Sequence, residues 1–423
     1  MSKFIIKGGN KLKGSVNVSG NKNSALKLIA ASLLGDSTTK LENVPVIVDV
    51  SIMAEIVNEL GCSVRGIGTN NLTIKPKGVN THIIGKELSG SIRTAPLLIA
   101  PLLLKFGKAQ ITTKGGCSLG YRLLATHFGL LEDMGAKIKK SNGGYLITFK
   151  PTKKKRDIFL EEASVTATEL GLILAAGIPS ETVISGAACE PHVEDLAEML
   201  IKMGASVEGA GTNTIRIVGK KKLKGVNYTV APDHIEAGSW AILAACTAGE
   251  LTIENVKKED LRMICAYFSH LGVRYSFPTN NTWKIHKSKL KFDGKVKEFQ
   301  TRPWPGFPTD LMSPFIVLCT QTLGQTVCHD WMWEWRVFFV DDLISMGAKI
   351  IIADPHRVII TGRKRLEGDK MVCKNIRAGM AIVIAALAAK GASEIDKVEM
   401  IERGYEKLFE KLIKVGADVI KVD

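Results

Sequence analysis

The chain has 423 residues, 45% hydrophobic and 23% charged, with 57 Lys and Arg against 42 Asp and Glu and a net charge of +15. These are globular values in a chain too long for one ordinary core, so a disordered or low-complexity polymer is excluded and two or more domains are expected. The first residues, Met1–Lys7, lack the apolar stretch of a signal peptide, and the longest apolar run, Ala95–Leu104, is half the ~20 residues of a membrane span, so a cytoplasmic location without membrane contact is expected.

From the N-terminus, a strand is predicted within residues 3–18, followed by a helix that opens at Ser19-Gly20-Asn21-Lys22-Asn23-Ser24-Ala25. A helix start with a lysine in it offers backbone N–H groups and positive charge to an anion. An apolar residue, a glycine, a small or apolar residue and a short alternating strand then recur six times along the chain. The glycines are Gly61, Gly135, Gly204, Gly272, Gly347 and Gly416, separated by 74, 69, 68, 75 and 69 residues. Each glycine caps a helix-like run such as Val193–Ile201. Earlier in each repeat stands an Ala/Leu-rich helix, for example Thr168–Ala176 or Ala378–Ala389, followed by a strand such as Glu181–Ile184 or Glu250–Ile253. Helices so apolar all round have to be buried on most faces, which fits helices inside a ring of sheets. A break near Val230–His234 separates three repeats from three. The opening strand precedes the first repeat and can join the C-terminal half.

Between the strand-like Ala109–Thr113 and a helix from Leu123 lies Lys114-Gly115-Gly116-Cys117-Ser118-Leu119-Gly120-Tyr121-Arg122. Its glycines allow close backbone approach to a ligand, and Lys114 and Arg122 would favour a thiolate at Cys117. A surface turn with an incidental cysteine is equally compatible with these nine residues. The other cysteines, 62, 189, 246, 265, 319, 328 and 373, show no C-x-x-C spacing and sit mostly in apolar segments, so buried free thiols are expected, with no disulfide framework and no zinc site. The basic runs Lys153–Arg156 and Lys220–Lys222 lack interleaved aromatics and are predicted as solvated hairpin turns, so a nucleic-acid partner is not expected.

Three more segments place polar residues inside the repeats: Arg302–Asp310, a proline-rich loop ending in a carboxylate; Trp333-Glu334-Trp335-Arg336; and the pair Asn375-Ile376-Arg377 with Glu402-Arg403-Gly404-Tyr405. Taken together with Lys22 and the Gly115-Gly116-Cys117 loop, they give the chain a resemblance, over its whole length, to the enolpyruvyl transferases, and within them to the branch that acts on a nucleotide sugar. The resemblance implies an α/β fold, a two-domain inside-out α/β barrel of six βαβαββ repeats with helices buried inside sheets. The expected domains are residues 22–233, and 1–21 plus 234–423, with the active site in the cleft between them. The implied reaction adds the 3-hydroxyl of UDP-N-acetylglucosamine to C2 of phosphoenolpyruvate, passes through a tetrahedral ketal and expels phosphate, a step of peptidoglycan synthesis that needs no metal or organic cofactor. It requires an acid at C3, a base at the hydroxyl and cations for phosphate and carboxylate.

By that resemblance Cys117 is the general acid, Asp310 the base, and Lys22, Arg122 and Arg403 hold the phosphate, while Arg336 and Arg377 take the carboxylate as planar forks. Asn23, Arg93, Leu123, Leu124, Ala125, Thr126, His127, Ser164, Val165, Met332 and Asn375 are expected to contact substrate. The chain differs from the family pattern in four places: the family has a proline and then an aspartate after the loop arginine, where this chain has Leu123–Thr126; Glu162 replaces a basic residue; Trp335 replaces a small polar one; and Asn375 replaces an aspartate. Two alternatives remain open, an enolpyruvyl transferase for another nucleotide or sugar acceptor, and a catalytically silent binding protein on the same fold. The sequence does not specify an oligomeric state.

Overall fold

The computed structural model describes residues 2–85, 90–112, 124–141, 144–334 and 336–422. Contacts between Cα atoms divide the chain into two compact units, Gly20–Ala231 and Met1–Ser19 with Pro232–Asp423.

In the first unit three apolar helices, Lys22–Ala31, Ile99–Phe106 and Val165–Ala176, are buried in one hydrophobic core. Around them lie three sheets. One joins Asn227–Thr229, Thr39–Glu42, Leu72–Lys75 and Ser63–Arg65; the second joins Lys108–Thr112, Gly144–Thr148 and Lys137–Ser141; the third joins Ser206–Glu208, Thr214–Val218, Glu181–Ser185 and Arg156–Phe159. The strands alternate, so that Ile215 and Ile217 face the core while Thr214, Arg216 and Val218 face out. Gly171 of the third helix has no room for a side chain, since a Cβ there would stand 2.9 Å from Ile184 and 3.1 Å from Leu130.

The second unit repeats the plan. The helices His234–Cys246, Met312–Thr320 and Ile376–Ala388 pack on one another in a second core. The strand Lys3–Lys7 is antiparallel to both Ala392–Asp396 and Asp418–Val422, and Lys13–Asn17 is parallel to Glu250–Glu254. Both N-terminal strands therefore complete sheets of the C-terminal half. All six repeat glycines have positive φ, between 75° and 116°, the left-handed conformation that ends a helix and turns the chain into the strand two or three residues later.

The basic runs are not hairpin turns. Strand Gly144–Thr148 precedes Lys153–Arg156 and strand Arg156–Phe159 follows, but the two lie in different sheets, and the same holds for Lys220–Lys222 between Thr214–Val218 and Asn227–Thr229. Lys153, Lys154 and Lys155 are exposed, as sequence reasoning expects, whereas Arg156 donates to Met134 O at 3.1 Å, Ser180 Oγ at 3.0 Å and Thr152 Oγ1 at 3.0 Å. Hydrophobic periodicity shows where strands stop; it does not show which sheet the next one joins.

Candidate functional site

In the second unit the chain leaves the Pro-rich loop through a single helical turn, Thr309–Leu311, that presents Asp310. Both carboxylate oxygens are taken. Oδ1 accepts from Arg336 Nη1 at 3.0 Å, and Oδ2 accepts from Arg377 Nε at 3.0 Å and Nη2 at 2.7 Å. Burial pushes the Asp310 carboxyl up, but Arg377 and then Arg336 outweigh it and hold it well below the usual carboxylate range. Arg336 also donates from Nη1 to Thr309 O at 3.1 Å, while its buried Nε has no hydrogen-bond partner among the described residues. Asp330 Oδ2 lies 3.5 Å from that Nε, an ion-pair separation without a hydrogen bond.

Asp330 organises this side of the site and was not anticipated from the sequence. It is fully buried at the end of strand Gly324–His329, accepts from the backbone N–H groups of Met332 and Trp333 at 3.1 Å each, and takes the hydroxyls of Thr301 at 3.1 Å and Thr309 at 2.8 Å. Aspartate after a strand, accepting from backbone two and three residues on, is a turn former, and that local pattern was the available signal. Here it ties Met332 and the stretch before Arg336 to the turn carrying Asp310. Trp335 lies outside the described residues.

Asn375 is the N-cap of helix Ile376–Ala388. Its Oδ1 accepts from Arg377 N and Ala378 N, both at 3.0 Å, so its carbonyl oxygen fixes the backbone from which the Arg377 guanidinium projects. The Arg377 guanidinium lies 5.7 Å from the ring centre of Tyr405, and Tyr405 is itself buried and hydrogen-bonded to Ser239 Oγ at 2.8 Å. Gly404 makes the approach possible, since a Cβ there would stand 2.4 Å from Ile376. The structure thus brings Asn375-Ile376-Arg377 together with Gly404-Tyr405, and Arg403 is half-buried next to them in the chain. Asp233 caps helix His234–Cys246 through Ile235 N at 2.8 Å and Glu236 N at 3.1 Å, and the first residue of that helix, His234, is buried, packed on Trp304 and pushed down to about 4 by burial.

In the first unit Asn21 caps helix Lys22–Ala31 by accepting from Ser24 N at 3.1 Å, and Asn23 sits half-buried in the first turn. Lys22 Nζ contacts Asp49 Oδ2 at 2.6 Å, a partner the sequence reading missed because Asp49 lies on the next helix, Val48–Glu59. Ser164 caps helix Val165–Ala176 by accepting from Ala167 N at 3.4 Å. Against that turn stands buried His127, its Nε2 2.8 Å from Thr166 Oγ1 and its ring pushed down to about 4 by burial, so it is neutral near pH 7. Thr126 Oγ1 reaches Glu162 Oε2 at 3.4 Å, so two of the positions that depart from the family pattern touch each other. Leu124 and Ala125 lead into helix Ala125–Asp133 in the same neighbourhood, and Arg93 is exposed. The loop with Cys117, and with it Arg122 and Leu123, lies outside the described residues.

Deeper in the same unit is a charged group that no motif announced. Lys27 Nζ lies 3.4 Å from Glu169 Oε1, both side chains essentially without solvent access, and His192 Nε2 is 4.0 Å from the same oxygen. Burial pushes Glu169 up to about 8 against the opposing pull of Lys27, and burial lowers Lys27.

Chemically, the second unit offers a carboxylate held by two guanidiniums with one N–H in reserve, and the first offers a lysine at a helix start and a neutral histidine beside a helix N-terminus. Each unit taken by itself suits an anion: the guanidinium pair of the second a carboxylate, and the helix start of the first a phosphate.

Comparison with known proteins agrees. Residues 6–412 match the family model described as EPSP synthase (3-phosphoshikimate 1-carboxyvinyltransferase). The chain is 42% identical to UDP-N-acetylglucosamine 1-carboxyvinyltransferase of Borreliella burgdorferi, over 100% of this chain and 99% of that protein. It is likewise 42% identical to the protein of that name from Bradyrhizobium diazoefficiens, over 99% and 98%. Among solved structures, the enolpyruvyl transferase NikO from Streptomyces tendae superposes with a TM-score of 0.87 at 22% identity, covering 100% of this chain and 99% of that one. EPSP synthase from Acinetobacter baumannii superposes with a TM-score of 0.75 at 21% identity and full coverage of both chains. These two likenesses concern the fold.

Proposed function

The chain belongs to the enolpyruvyl transferase family, and from that premise we propose that it transfers the enolpyruvyl group of phosphoenolpyruvate to the 3-hydroxyl of UDP-N-acetylglucosamine, releasing phosphate, in the cytoplasmic stage of peptidoglycan synthesis. The observation that carries the chemistry is the carboxylate-binding pair Arg336 and Arg377 around Asp310. The choice of acceptor rests on the full-length relatives.

In this reading the acceptor O–H adds across the C2–C3 double bond. Asp310 takes the hydroxyl proton, the oxygen bonds to C2, and Cys117 gives a proton to C3, leaving a tetrahedral ketal with a methyl group. C3 then loses a proton, the C2–O bond to phosphate breaks, and the double bond returns on the acceptor. Lys22, Arg122 and Arg403 hold the phosphate, a dianion best matched by several cations. Arg336 and Arg377 hold the carboxylate. Asn23, Arg93, Leu123, Leu124, Ala125, Thr126, His127, Ser164, Val165 and Met332 contact the nucleotide sugar. Asn375 orients Arg377 through the helix start.

Phosphate release from phosphoenolpyruvate should be measured with UDP-N-acetylglucosamine, shikimate 3-phosphate and other nucleotide sugars as acceptors. Release that depends on UDP-N-acetylglucosamine supports the reading. Release that depends on a different acceptor would reassign the substrate and keep the reaction class, and binding without release from any acceptor would favour a silent relative.

A further inference from the structure

Asp310 occupies both of the guanidiniums that the reading above gives to the substrate carboxylate. Each of its oxygens is engaged, one by Arg336 and the other twice by Arg377, at 2.7 to 3.0 Å. A carboxylate held this way is a poor proton acceptor, because charge-assisted hydrogen bonds to both oxygens stabilise the ionised form. The site therefore contains a complete carboxylate cradle that is already filled by the residue meant to act as base. The cradle also has capacity to spare: Arg336 Nε is buried and makes no hydrogen bond among the described residues, its nearest acceptor being Asp330 Oδ2 at an ion-pair separation of 3.5 Å. Asp310 itself is not locked in by packing, for 29% of its side-chain surface remains exposed on a single helical turn.

We propose that Asp310 is an internal placeholder for the substrate carboxylate: phosphoenolpyruvate takes Arg336 and Arg377 from it, and only then is Asp310 free to accept the proton of the acceptor hydroxyl. The inference rests on the transferase reading. It links binding to chemistry, since the base is silent until the enolpyruvyl donor is in place and cannot deprotonate a bound acceptor in its absence. It also explains why Arg377 is supported both by the Asn375 cap and by Tyr405, because the guanidinium has to hold its position while one carboxylate replaces another. The charged and titratable groups around Asp310 are Arg336, Arg377, His234 and Asp233, with Asp330 behind Arg336. His234 is neutral near pH 7 and Asp233 is committed to its helix cap, which leaves the arginines as the groups that decide the state of Asp310.

The test is a binding cycle between ligand and residue. Dissociation constants of phosphoenolpyruvate and of vinyl phosphate, which lacks the carboxylate, are measured for the full chain and for Asp310→Asn and Asp310→Ser. Because apparent affinity is reduced by the fraction of molecules in which the site is occupied by its own side chain, both variants should bind phosphoenolpyruvate ~10-fold or more tightly than the natural chain. Vinyl phosphate should bind all three alike, which also verifies that the variants are folded. Unchanged or weaker phosphoenolpyruvate binding in the variants overturns the placeholder and leaves the transferase reading standing; no phosphoenolpyruvate binding to the natural chain overturns both. A measurement on the natural chain stands independently of variant folding. With the phosphate titration of phosphoenolpyruvate accounted for, the acid limb of kcat should lie at higher pH than the acid limb of kcat/KM for phosphoenolpyruvate, since the first reports the freed base and the second the held one. Coincident limbs contradict the proposal.

Discussion

Arg377 grips Asp310 through a single oxygen, with Nε at 3.0 Å and Nη2 at 2.7 Å from Oδ2, and leaves the other oxygen to Arg336. This fork is a geometry that lysine cannot reproduce. Arg377→Lys should raise the KM for phosphoenolpyruvate ~10-fold or more and lower kcat as well, in steady-state kinetics at saturating acceptor. Asp310→Ala should lower kcat by ~10²–10⁴, the usual loss of a general base. Near-normal turnover in Asp310→Ala would remove it from the base role.

Asn375 separates two functions that an aspartate would combine. Its carbonyl oxygen caps the helix at Arg377 N and Ala378 N, which either residue can do, but it brings no charge and takes no proton at neutral pH. Asn375→Ala should cost ~0.5–2 kcal/mol of stability through the lost cap. Asn375→Asp should keep the natural melting temperature and raise kcat ~10-fold, within the range of a positioned acid or base. Equal kcat values for Asn375 and its Asp variant would show that no proton moves at this position.

Cys117 should be the only readily alkylated thiol. Burial pushes Cys62 and Cys265 up to about 11 and Cys373 to about 12, and raises Cys189, Cys246 and Cys328 too, so these carry little thiolate at neutral pH. Fosfomycin, an epoxide that mimics phosphoenolpyruvate, should give one adduct by intact mass, absent in Cys117→Asp and formed faster with UDP-N-acetylglucosamine present. An adduct on any other cysteine would contradict the assignment of the acid.

The buried carboxyl of Glu169 ties stability to pH. Its folded value of about 8 lies above the ordinary 4.5, so its favourable contribution is complete below 4.5 and is lost as pH rises from there through about 8. Glu169→Gln cannot ionise and should remove that slope. Melting temperatures from pH 5 to 8 should show the variant gaining on the natural chain as pH rises; parallel curves would show that Glu169 does not titrate in this window.

Much of the fold was legible because its signals are local and repeated. The six glycines at near-constant spacing each end a helix in the left-handed conformation, and residues 378–388 of helix Ile376–Ala388 announced their burial by being apolar on every face. Sheet membership was not legible: the basic runs connect sheets because strands on either side pair with distant partners, and pairing is a long-range choice that turn composition does not encode. In the site, Asp310, Arg336 and Arg377 were identified by motif resemblance, but their mutual contact joins positions 67 and 26 residues apart and leaves no trace in any short segment. The pairs Lys22 with Asp49 and Lys27 with Glu169 were missed for the same reason.

The most direct single measurement is the mass spectrum of the product formed from UDP-N-acetylglucosamine and phosphoenolpyruvate in D₂O. Addition followed by elimination makes C3 a methyl group that contains one solvent-derived hydrogen and then loses one of three, so the expected product is the sugar nucleotide carrying an enolpyruvyl group with deuterium at C3. An unmodified sugar nucleotide would contradict the transferase assignment, and an enolpyruvyl product free of deuterium would contradict the ketal route and the acid and base roles given to Cys117 and Asp310.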